Sequence, residues 1–274
     1  MNVIEVSHLT RDYGKGRGVF DLTFSVGQGE VFGFLGPNGA GKTTTIRHLM
    51  GFLRPQAGRC SMNGKDCWQD SAAIQRDLGY IPGELAFFEE MTGGEFLKFL
   101  ERYRGPGSGV RKEELLARFA LDTRGKIKRM SKGMKQKLGI VAAFMHDPTV
   151  LILDEPTSGL DPLMQNAFIS IIHEERERGK TILLSSHMFE EVERTCQRVG
   201  IIRQGRLVAL ETIQALREKH MRAYQVTLPD PETAEAFARD FQGSRSVENP
   251  CQVEVRAMQT LQERFLDYYG GEVE

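Results

Sequence analysis

The sequence has little of what marks secreted, membrane-spanning or strongly charged proteins. Four cysteines in 274 residues are too few for a disulfide scaffold, and no two of them form the C-x-x-C pair that suggests zinc. No uninterrupted apolar run approaches the ~18 residues that a membrane-spanning helix needs. The formal net charge of -1 gives the chain no overall attraction to nucleic acid or to acidic membranes.

The amino terminus also lacks the basic and then apolar segments of an export signal. Together with the few, unpaired cysteines, this predicts a soluble chain with reduced thiols that reaches a membrane only through a partner. The length suits one large or two modest domains, and a hydrophobic content of 40% is enough for a packed core.

The most informative motif is Gly36-Pro-Asn-Gly-Ala-Gly-Lys-Thr43, which fits the phosphate-binding pattern G-x-x-x-x-G-K-[ST]. Its glycines let the backbone approach an anion, Lys42 brings a positive charge to the β- and γ-phosphates, and Thr43 supplies a hydroxyl for Mg²⁺. The apolar run at 30–35 predicts a buried strand before the loop, and residues 42–50 predict a helix after it. This setting predicts a nucleotide site formed by Gly36, Pro37, Asn38, Gly39, Ala40, Gly41, Lys42, Thr43 and Thr44.

Two carboxylates, Asp154 and Glu155, follow the wholly apolar run at 150–153. Such a run predicts a buried strand, and open α/β sheets bind ligands at the carboxyl ends of their strands. Asp154 is therefore a candidate ligand of Mg²⁺, directly or through water. Glu155 is a candidate base or orienting group for the water that attacks the γ-phosphate. The alternative is a solvated acidic turn.

The remaining patterns predict three further regions around this core. Alternation at 3–8 and 19–26, with a strand at 58–62 before the turn Asn63-Gly64, predicts an antiparallel portion. Helical periodicity from about 84 to 139 predicts a helical subdomain. Beyond about residue 215, a strand, a helix, a second strand and a final helix predict a small α/β accessory domain. We thus expect a nucleotide-binding domain at 1–215 and an accessory domain at 216–274.

Residues 1–215 resemble the ATPase subunits of ABC (ATP-binding cassette) transporters, because three more motifs follow in the order of that family. Met130-Ser-Lys-Gly-Met134 is similar to the family signature LSGGQ, Ser158-Gly-Leu-Asp161 to the D-loop, and Ser185-Ser-His187 to the switch-histidine segment. The resemblance implies the P-loop NTPase cassette fold, a mixed-sheet α/β core with an antiparallel portion and a helical subdomain.

The resemblance also implies roles for individual residues. Tyr13 would stack on adenine, unless it is only a buried aromatic of a turn. His187 would act with Lys42 and Glu155 at the γ-phosphate, although a lone histidine is more often a satisfied polar residue. Three residues would contact the ATP held by a second cassette: Ser131, Gly133 and Asp161.

Two positions depart from the family pattern. Lys132 replaces a signature glycine, and the segment Ser131 to Lys137 is similar to the variant found in ATPases of ABC-2-type exporters. Gly83 occupies the slot where the family usually places a glutamine that contacts Mg²⁺. The next residue, Glu84, either supplies a carboxylate oxygen for that metal or is simply favoured at the positive end of a helix.

The resemblance implies a Mg²⁺-dependent ATPase that powers a transporter, and its ABC-2-like segment favours an exporter. The implied partners are ATP, an identical or related second cassette and a membrane-spanning permease at the cytoplasmic face of the cell membrane, with no nucleic acid expected. The alternative is a soluble ABC ATPase that acts on nucleic acid or ribosomes. The short insert, the single cassette and the tail without excess basic residues argue against it.

Overall fold

The computed structural model describes residues 1–104, 109–218, 221–227, 230–240, 244–245 and 249–258. None of the helices in these ranges is both long and apolar enough to cross a bilayer. Two units are distinguished by their internal contacts, Met1–Glu211 and Thr212–Glu274. The proposed boundary between residues 215 and 216 stays a prediction.

The first unit contains both strands and helices. Its strands are β1 Asn2–Asp12, β2 Gly18–Gly27, β3 Val31–Leu35, β4 Ala57–Met62, β5 Lys65–Asp66, β6 Leu78–Ile81, β7 Val150–Asp154, β8 Thr181–Ser186, β9 Arg198–Arg203 and β10 Arg206–Thr212. Its α-helices are α1 Lys42–Leu49, α2 Ser71–Arg76, α3 Gly93–Arg104, α4 Gly109–Arg118, α5 Lys132–Phe144, α6 Pro162–Glu177 and α7 Phe189–Thr195, and Ile127–Arg129 is a 3₁₀ turn.

A six-stranded sheet, in the order β10-β9-β3-β8-β7-β6, holds the nucleotide-binding motifs. The pairs β9–β3, β3–β8, β8–β7 and β7–β6 are parallel. Every residue of β3, β7 and β8 is buried, as expected for strands covered on both faces. The carboxyl ends of these three strands therefore lie at one edge of the sheet, where each is followed by a predicted motif.

A second sheet, in the order β2-β1-β4-β5, is antiparallel and confirms the predicted antiparallel portion. Leu22, Phe24 and Val26 of β2 are buried and alternate with more exposed neighbours. The Phe24 ring stacks on the rings of Phe32 and Phe34 at 5.3 Å in both cases, so it joins the two sheets in one core. These ring contacts fix the antiparallel sheet against the strand that precedes the phosphate-binding loop.

The predicted helical subdomain is confirmed by α3, α4, the 3₁₀ turn and the start of α5. Helix α3 begins with the predicted capping box, in which the Thr92 hydroxyl accepts from Glu95 N and Glu95 Oε2 accepts from Thr92 N. Arg118 of α4 donates to Glu174 of α6 at 2.6 Å and thus ties this subdomain to the sheet-covering helices.

The second unit is a small α/β assembly, as predicted. Its described elements are α8 Ile213–Glu218, β11 Met221–Thr227, α9 Pro231–Asp240, β12 Ser244–Arg245 and β13 Gln252–Met258. The strands form an antiparallel sheet in the order β11-β13-β12, and Ala234 of α9 is buried with Val253 of β13. The predicted final helix lies outside the described residues.

Candidate functional site

A cavity of about 560 Å³ opens at the amino-terminal end of α1 and collects most of the predicted nucleotide-binding residues. Its walls come from the phosphate-binding loop, the turn after β1, the segment after β6 and the turn after β7. Predicted residues that line it are Tyr13, Pro37, Asn38, Gly39, Gly41, Lys42, Thr43, Thr44, Glu84 and Glu155. The sequence motifs therefore converge on one polar site at the edge of the parallel sheet.

The loop between β3 and α1 presents its backbone to this cavity. Gly41 is the N-cap of α1 with φ of 111°, a conformation that glycine adopts without steric cost. Gly36 lies behind the loop, where an added Cβ would approach Ile202 O to 2.4 Å. Ala40 is also buried behind the loop, and its N–H donates to Pro37 O. The first turn of α1, whose amides have no acceptor within the helix, lines the cavity and is suited to bind phosphate.

Lys42 is the buried cation of the site, with 5% of its surface exposed. Its Nζ donates to Gly36 O at 2.5 Å and to Pro37 O at 3.2 Å, which curls the side chain back over the loop. The same Nζ lies 3.1 Å from Glu155 Oε1. The ammonium group of Lys42 therefore contacts both the phosphate-binding loop and the carboxylate that follows β7.

Asp154 connects three elements at the other side of the site. Its Oδ2 accepts a hydrogen bond of 2.8 Å from Thr43 Oγ1, and its Oδ1 accepts from the Ser185 hydroxyl of β8. The carboxylate is fully buried. An added Cβ on Gly83 would lie 3.1 Å from Asp154 Oδ2, so the position where the family usually has glutamine faces the candidate metal ligands.

Glu155 and His187 are neighbours, as the switch-histidine interpretation requires. His187 Nδ1 lies 2.7 Å from Glu155 Oε2, and the other Glu155 oxygen faces Lys42. Glu155 has a φ of 51°, a left-handed conformation that is uncommon outside glycine. Half of the His187 side chain is exposed, so a ligand can reach it.

Tyr13 and Glu84 both line the cavity. Tyr13 is 46% exposed, which is inconsistent with the alternative of a buried turn aromatic, and the Arg11 guanidinium lies 5.3 Å from its ring centroid. Glu84 follows Gly83 in the segment after β6 and belongs to the lining of the cavity. It precedes α3 by nine positions, so it does not begin that helix, and the alternative of a helix-start residue is wrong.

Ser131, Gly133 and Asp161 do not line this cavity, and the segments that carry them contact each other elsewhere through Gly133 and Gly159. Ser131 caps α5 by accepting from Met134 N, and Asp161 caps α6 by accepting from Met164 N. An added Cβ on Gly133 would approach Gly159 O to 2.9 Å. The signature and D-loop segments thus form a second exposed surface next to two helix amino termini.

Lys132, the departure in the signature, packs along this surface. A Cβ placed on Gly159 would lie 3.1 Å from Cγ and Cδ of Lys132, so the lysine stem rests on the D-loop backbone. Gly159 has φ of 81°, a conformation that favours glycine, and its lack of a Cβ leaves room for the lysine stem. The lysine stem and the close approach of Gly133 to Gly159 O therefore occur together in this surface.

Sequence reasoning missed two cations of the cavity, Arg17 and Arg47. Arg47 stands four positions after Thr43 on α1, a spacing that places both on one helix face and could have revealed it. Arg17 is in the irregular turn after β1 and has no such signal. Tyr80 also lines the cavity, and burial together with the charge of Asp154 raises its pKa to about 12. The phenol therefore stays protonated at neutral pH.

Comparisons with known proteins agree with this geometry. Residues 19–158 match the family model described as ABC transporter. The chain is 37% identical over 215 residues to the linearmycin resistance ATP-binding protein LnrL of Bacillus subtilis, covering 77% of this chain and 69% of that protein. It is 36% identical over 235 residues to the bacitracin transport ATP-binding protein BcrA of Bacillus licheniformis, covering 85% and 77% respectively.

A solved structure of an ATP-binding subunit of an ABC transporter superposes with a TM-score of 0.72 at 36% identity. The alignment covers 79% of this chain and 92% of the other. The family match spans the phosphate-binding loop, the signature and the acidic end of β7, which are the segments that the fold brings to the two surfaces described above. The chain therefore belongs to the ABC transporter family, as one of its ATP-hydrolysing cassettes.

Proposed function

We propose that the chain holds ATP in the cavity at the start of α1, with adenine against Tyr13 and the phosphates along residues 36–43. The observation that carries this proposal is the linked set of contacts from Lys42 through Glu155 to His187. This set joins the loop that binds phosphate to the groups that can act on water. The cavity volume also falls in the range of small-molecule sites.

Mg²⁺ fits the pair of oxygen donors at Thr43 and Asp154. A hydroxyl and a buried carboxylate, 2.8 Å apart and next to a phosphate-binding loop, are the hard ligands that this cation prefers. When bound, Mg²⁺ would neutralise charge on the β- and γ-phosphates. Ser185 would fix the orientation of the Asp154 carboxylate through its hydrogen bond. Glu84 is proposed as an additional oxygen donor from the lining of the cavity.

Hydrolysis would use Glu155 and His187 as a pair. Glu155 accepts a proton from water while the water oxygen forms a bond to the γ-phosphorus, and the bond from that phosphorus to the β,γ-bridging oxygen breaks. ADP then leaves with the bridging oxygen, and Lys42 offsets the negative charge that grows on the phosphates. His187 holds Glu155 through their 2.7 Å contact and presents its other ring nitrogen to the γ-phosphate.

The second surface, which carries Ser131, Gly133 and Asp161, is proposed to complete the site of another cassette. The two helix amino termini there favour an anion, and the γ-phosphate of an opposed subunit would supply one. ATP would then stabilise the pair because both subunits contact it, and hydrolysis would remove those contacts and let the pair open. The opposed subunit is a second copy of this chain or a related cassette.

The cassette would drive a permease from the cytoplasmic face of the cell membrane, and we propose that the transporter is an exporter. Two relatives are named for linearmycin resistance and for bacitracin transport, which fits the removal of an antimicrobial compound. The lysine-containing signature, in which Lys132 packs on Gly159, favours the same branch. A soluble ATPase acting on nucleic acid or ribosomes is disfavoured by the family match.

The test is the dependence of ATP turnover on protein concentration. If two cassettes complete each site, phosphate release per chain should rise with protein concentration and then level off as pairs form. Purified Lys42→Ala protein, prepared in the same way, measures any contaminating ATPase. Turnover per chain that does not change with concentration would contradict the paired site. Turnover and nucleotide affinity of Lys42→Ala equal to those of the wild type would contradict the assignment of the nucleotide site itself.

A further inference from the structure

A second carboxyl group lies directly behind the candidate catalytic pair. Glu191 of α7 is 7% exposed, and its Oε2 accepts a hydrogen bond of 2.6 Å from Ser186 Oγ. Ser186 Oγ in turn accepts from Met188 N at 2.9 Å. The hydroxyl therefore bridges both sides of His187, and the carboxyl of Glu191 holds that hydroxyl in place.

Glu191 also reaches the turn that carries Glu155. The Thr157 hydroxyl interacts with the Glu191 carboxyl, and Thr157 is 7% exposed. The turn that contains Thr157 is closed by Ser158 N donating to Glu155 O at 3.2 Å. One buried side chain thus contacts the segments on both sides of the 2.7 Å contact between His187 and Glu155.

The chemistry of Glu191 suits a neutral hydrogen-bonding group. Burial, together with the nearby charge of Glu155, raises its pKa to about 7, against the opposing effects of Ser186, Thr157 and His187. Its Oε1 is buried and accepts no hydrogen bond. A neutral carboxyl avoids a charge on this unpartnered oxygen, while its other oxygen still accepts the hydrogen bond from Ser186.

Packing of α7 does not by itself require this carboxyl. Phe189 and Val192 already bury apolar side chains from the same helix. An apolar residue at position 191 would avoid the cost of burying a polar group, which is about 1–3 kcal/mol when that group is left without a partner. A buried carboxyl that contacts the two turns of the catalytic pair is therefore better explained by a role at the site.

We propose that Glu191 is a positioning residue of the ATPase site, which holds the turns of His187 and Glu155 together through Ser186 and Thr157. This inference rests on the proposed function, because it assigns Glu191 a purpose only if His187 and Glu155 act in hydrolysis. Glu191 touches neither the phosphate-binding loop nor Lys42 among its described contacts. Its loss should therefore lower kcat and leave the KM for ATP nearly unchanged.

The experiment compares kcat and KM of Glu191→Ala, Glu191→Gln and Ser186→Ala. We expect Glu191→Ala to lower kcat by about tenfold or more, and Glu191→Gln to stay within about threefold of the wild type, since an amide can donate and accept as a neutral carboxyl does. The exposed neighbour is the matched control, because Glu190→Gln should leave both constants unchanged. If Glu191→Ala does not fold, Ser186→Ala removes the same bridge with a smaller change and should also lower kcat.

A double-mutant cycle separates positioning from general support of the fold. If Glu191 acts through His187, Glu191→Ala should lower the activity of the His187→Ala enzyme by less than about twofold. An equal loss in both backgrounds would overturn the inference, as would unchanged kcat in Glu191→Ala and Ser186→Ala. Wild-type and Lys42→Ala proteins are measured in parallel. If the proposed function is wrong, the wild type will be no more active than Lys42→Ala, whereas failure of this inference alone leaves the wild type active and Glu191→Ala unchanged from it.

Discussion

Thr43 Oγ1 donates a hydrogen bond of 2.8 Å to Asp154 Oδ2, although 111 positions of sequence separate the two residues. The bond links the first turn of α1 with the end of β7 and places two hard oxygen ligands side by side. Thr43→Val should therefore raise the Mg²⁺ concentration needed for half-maximal ATPase activity by roughly tenfold. A Mg²⁺ titration at fixed ATP measures this change.

The matched control for that prediction is Thr43→Ser, which keeps the hydroxyl and loses only the methyl group. It should restore a Mg²⁺ requirement close to that of the wild type. Equal Mg²⁺ titration curves for Thr43→Val and the wild type would show that Thr43 is not a metal ligand.

Lys42 should govern nucleotide affinity, because its buried Nζ is held over the loop by Gly36 O and Pro37 O. Hydrogen bonds to charged groups contribute about 1.5–3 kcal/mol, so Lys42→Ala should weaken ATP binding by roughly ten- to a hundredfold. Fluorescent nucleotide titration measures the affinity. Lys65→Ala changes an exposed lysine on β5 and serves as the control. Equal affinity in Lys42→Ala and Lys65→Ala would refute the role of Lys42.

Glu155→Gln should separate ATP binding from hydrolysis. The amide keeps the shape of the side chain next to His187 but cannot accept the proton of the attacking water, so turnover should fall by at least about a hundredfold. ATP should still bind, and pairs of cassettes should accumulate because the contacts to the γ-phosphate persist. Size-exclusion chromatography with Mg²⁺ and ATP measures the pairs.

The control for this variant is Glu177→Gln at the exposed end of α6, which should hydrolyse ATP like the wild type. The shared-site proposal would be contradicted if Glu155→Gln protein binds ATP with unchanged affinity but stays monomeric.

Glu84→Ala tests the segment in which Gly83 takes the place of the family glutamine. Glu84 lines the cavity, and its neighbour Gly83 faces Asp154, so its carboxylate can affect the metal site. The substitution should slow hydrolysis by about tenfold and barely change nucleotide affinity. Glu84→Gln is the informative companion, because it keeps an oxygen donor and should lose less activity. Unchanged turnover in Glu84→Ala would remove Glu84 from the mechanism.

Local patterns were sufficient to predict the elements that hold the site. The apolar run at 150–153 became a fully buried strand, and Ser131 became the N-cap of α5, because burial and capping depend on neighbours in sequence. The strand, loop and helix around residues 36–43 were predicted for the same reason. The order of the motifs indicated the resemblance to the family, and that resemblance predicted the cassette fold.

Contacts across the sheet could not be predicted in this way. Nothing in the sequence places Arg17 in the cavity, because an irregular turn has no period from which its direction can be derived. Glu191 looks like one of several acids on a short amphipathic helix, and only the fold shows that Ser186 and Thr157 meet it. The closeness of position 83 to the Asp154 carboxylate likewise depends on the pairing of β6 with β7.

The pH dependence of stability should carry a contribution from His146, which lies against the Arg104 guanidinium and near Leu78 O. Burial and the nearby positive charge of Arg104 lower its pKa to about 4 from an ordinary value of 6.5. The folded chain therefore keeps this imidazole neutral while the unfolded chain binds a proton, so stability is lost as pH falls from 6.5 through 4.

Replacing His146 by glutamine should reduce the loss of thermal stability between pH 7.5 and pH 5. Thermal unfolding followed by circular dichroism measures it, with His173→Gln on α6 as the control. An equal drop in the unfolding temperature for both variants and the wild type would mean that the buried imidazole does not contribute to acid sensitivity.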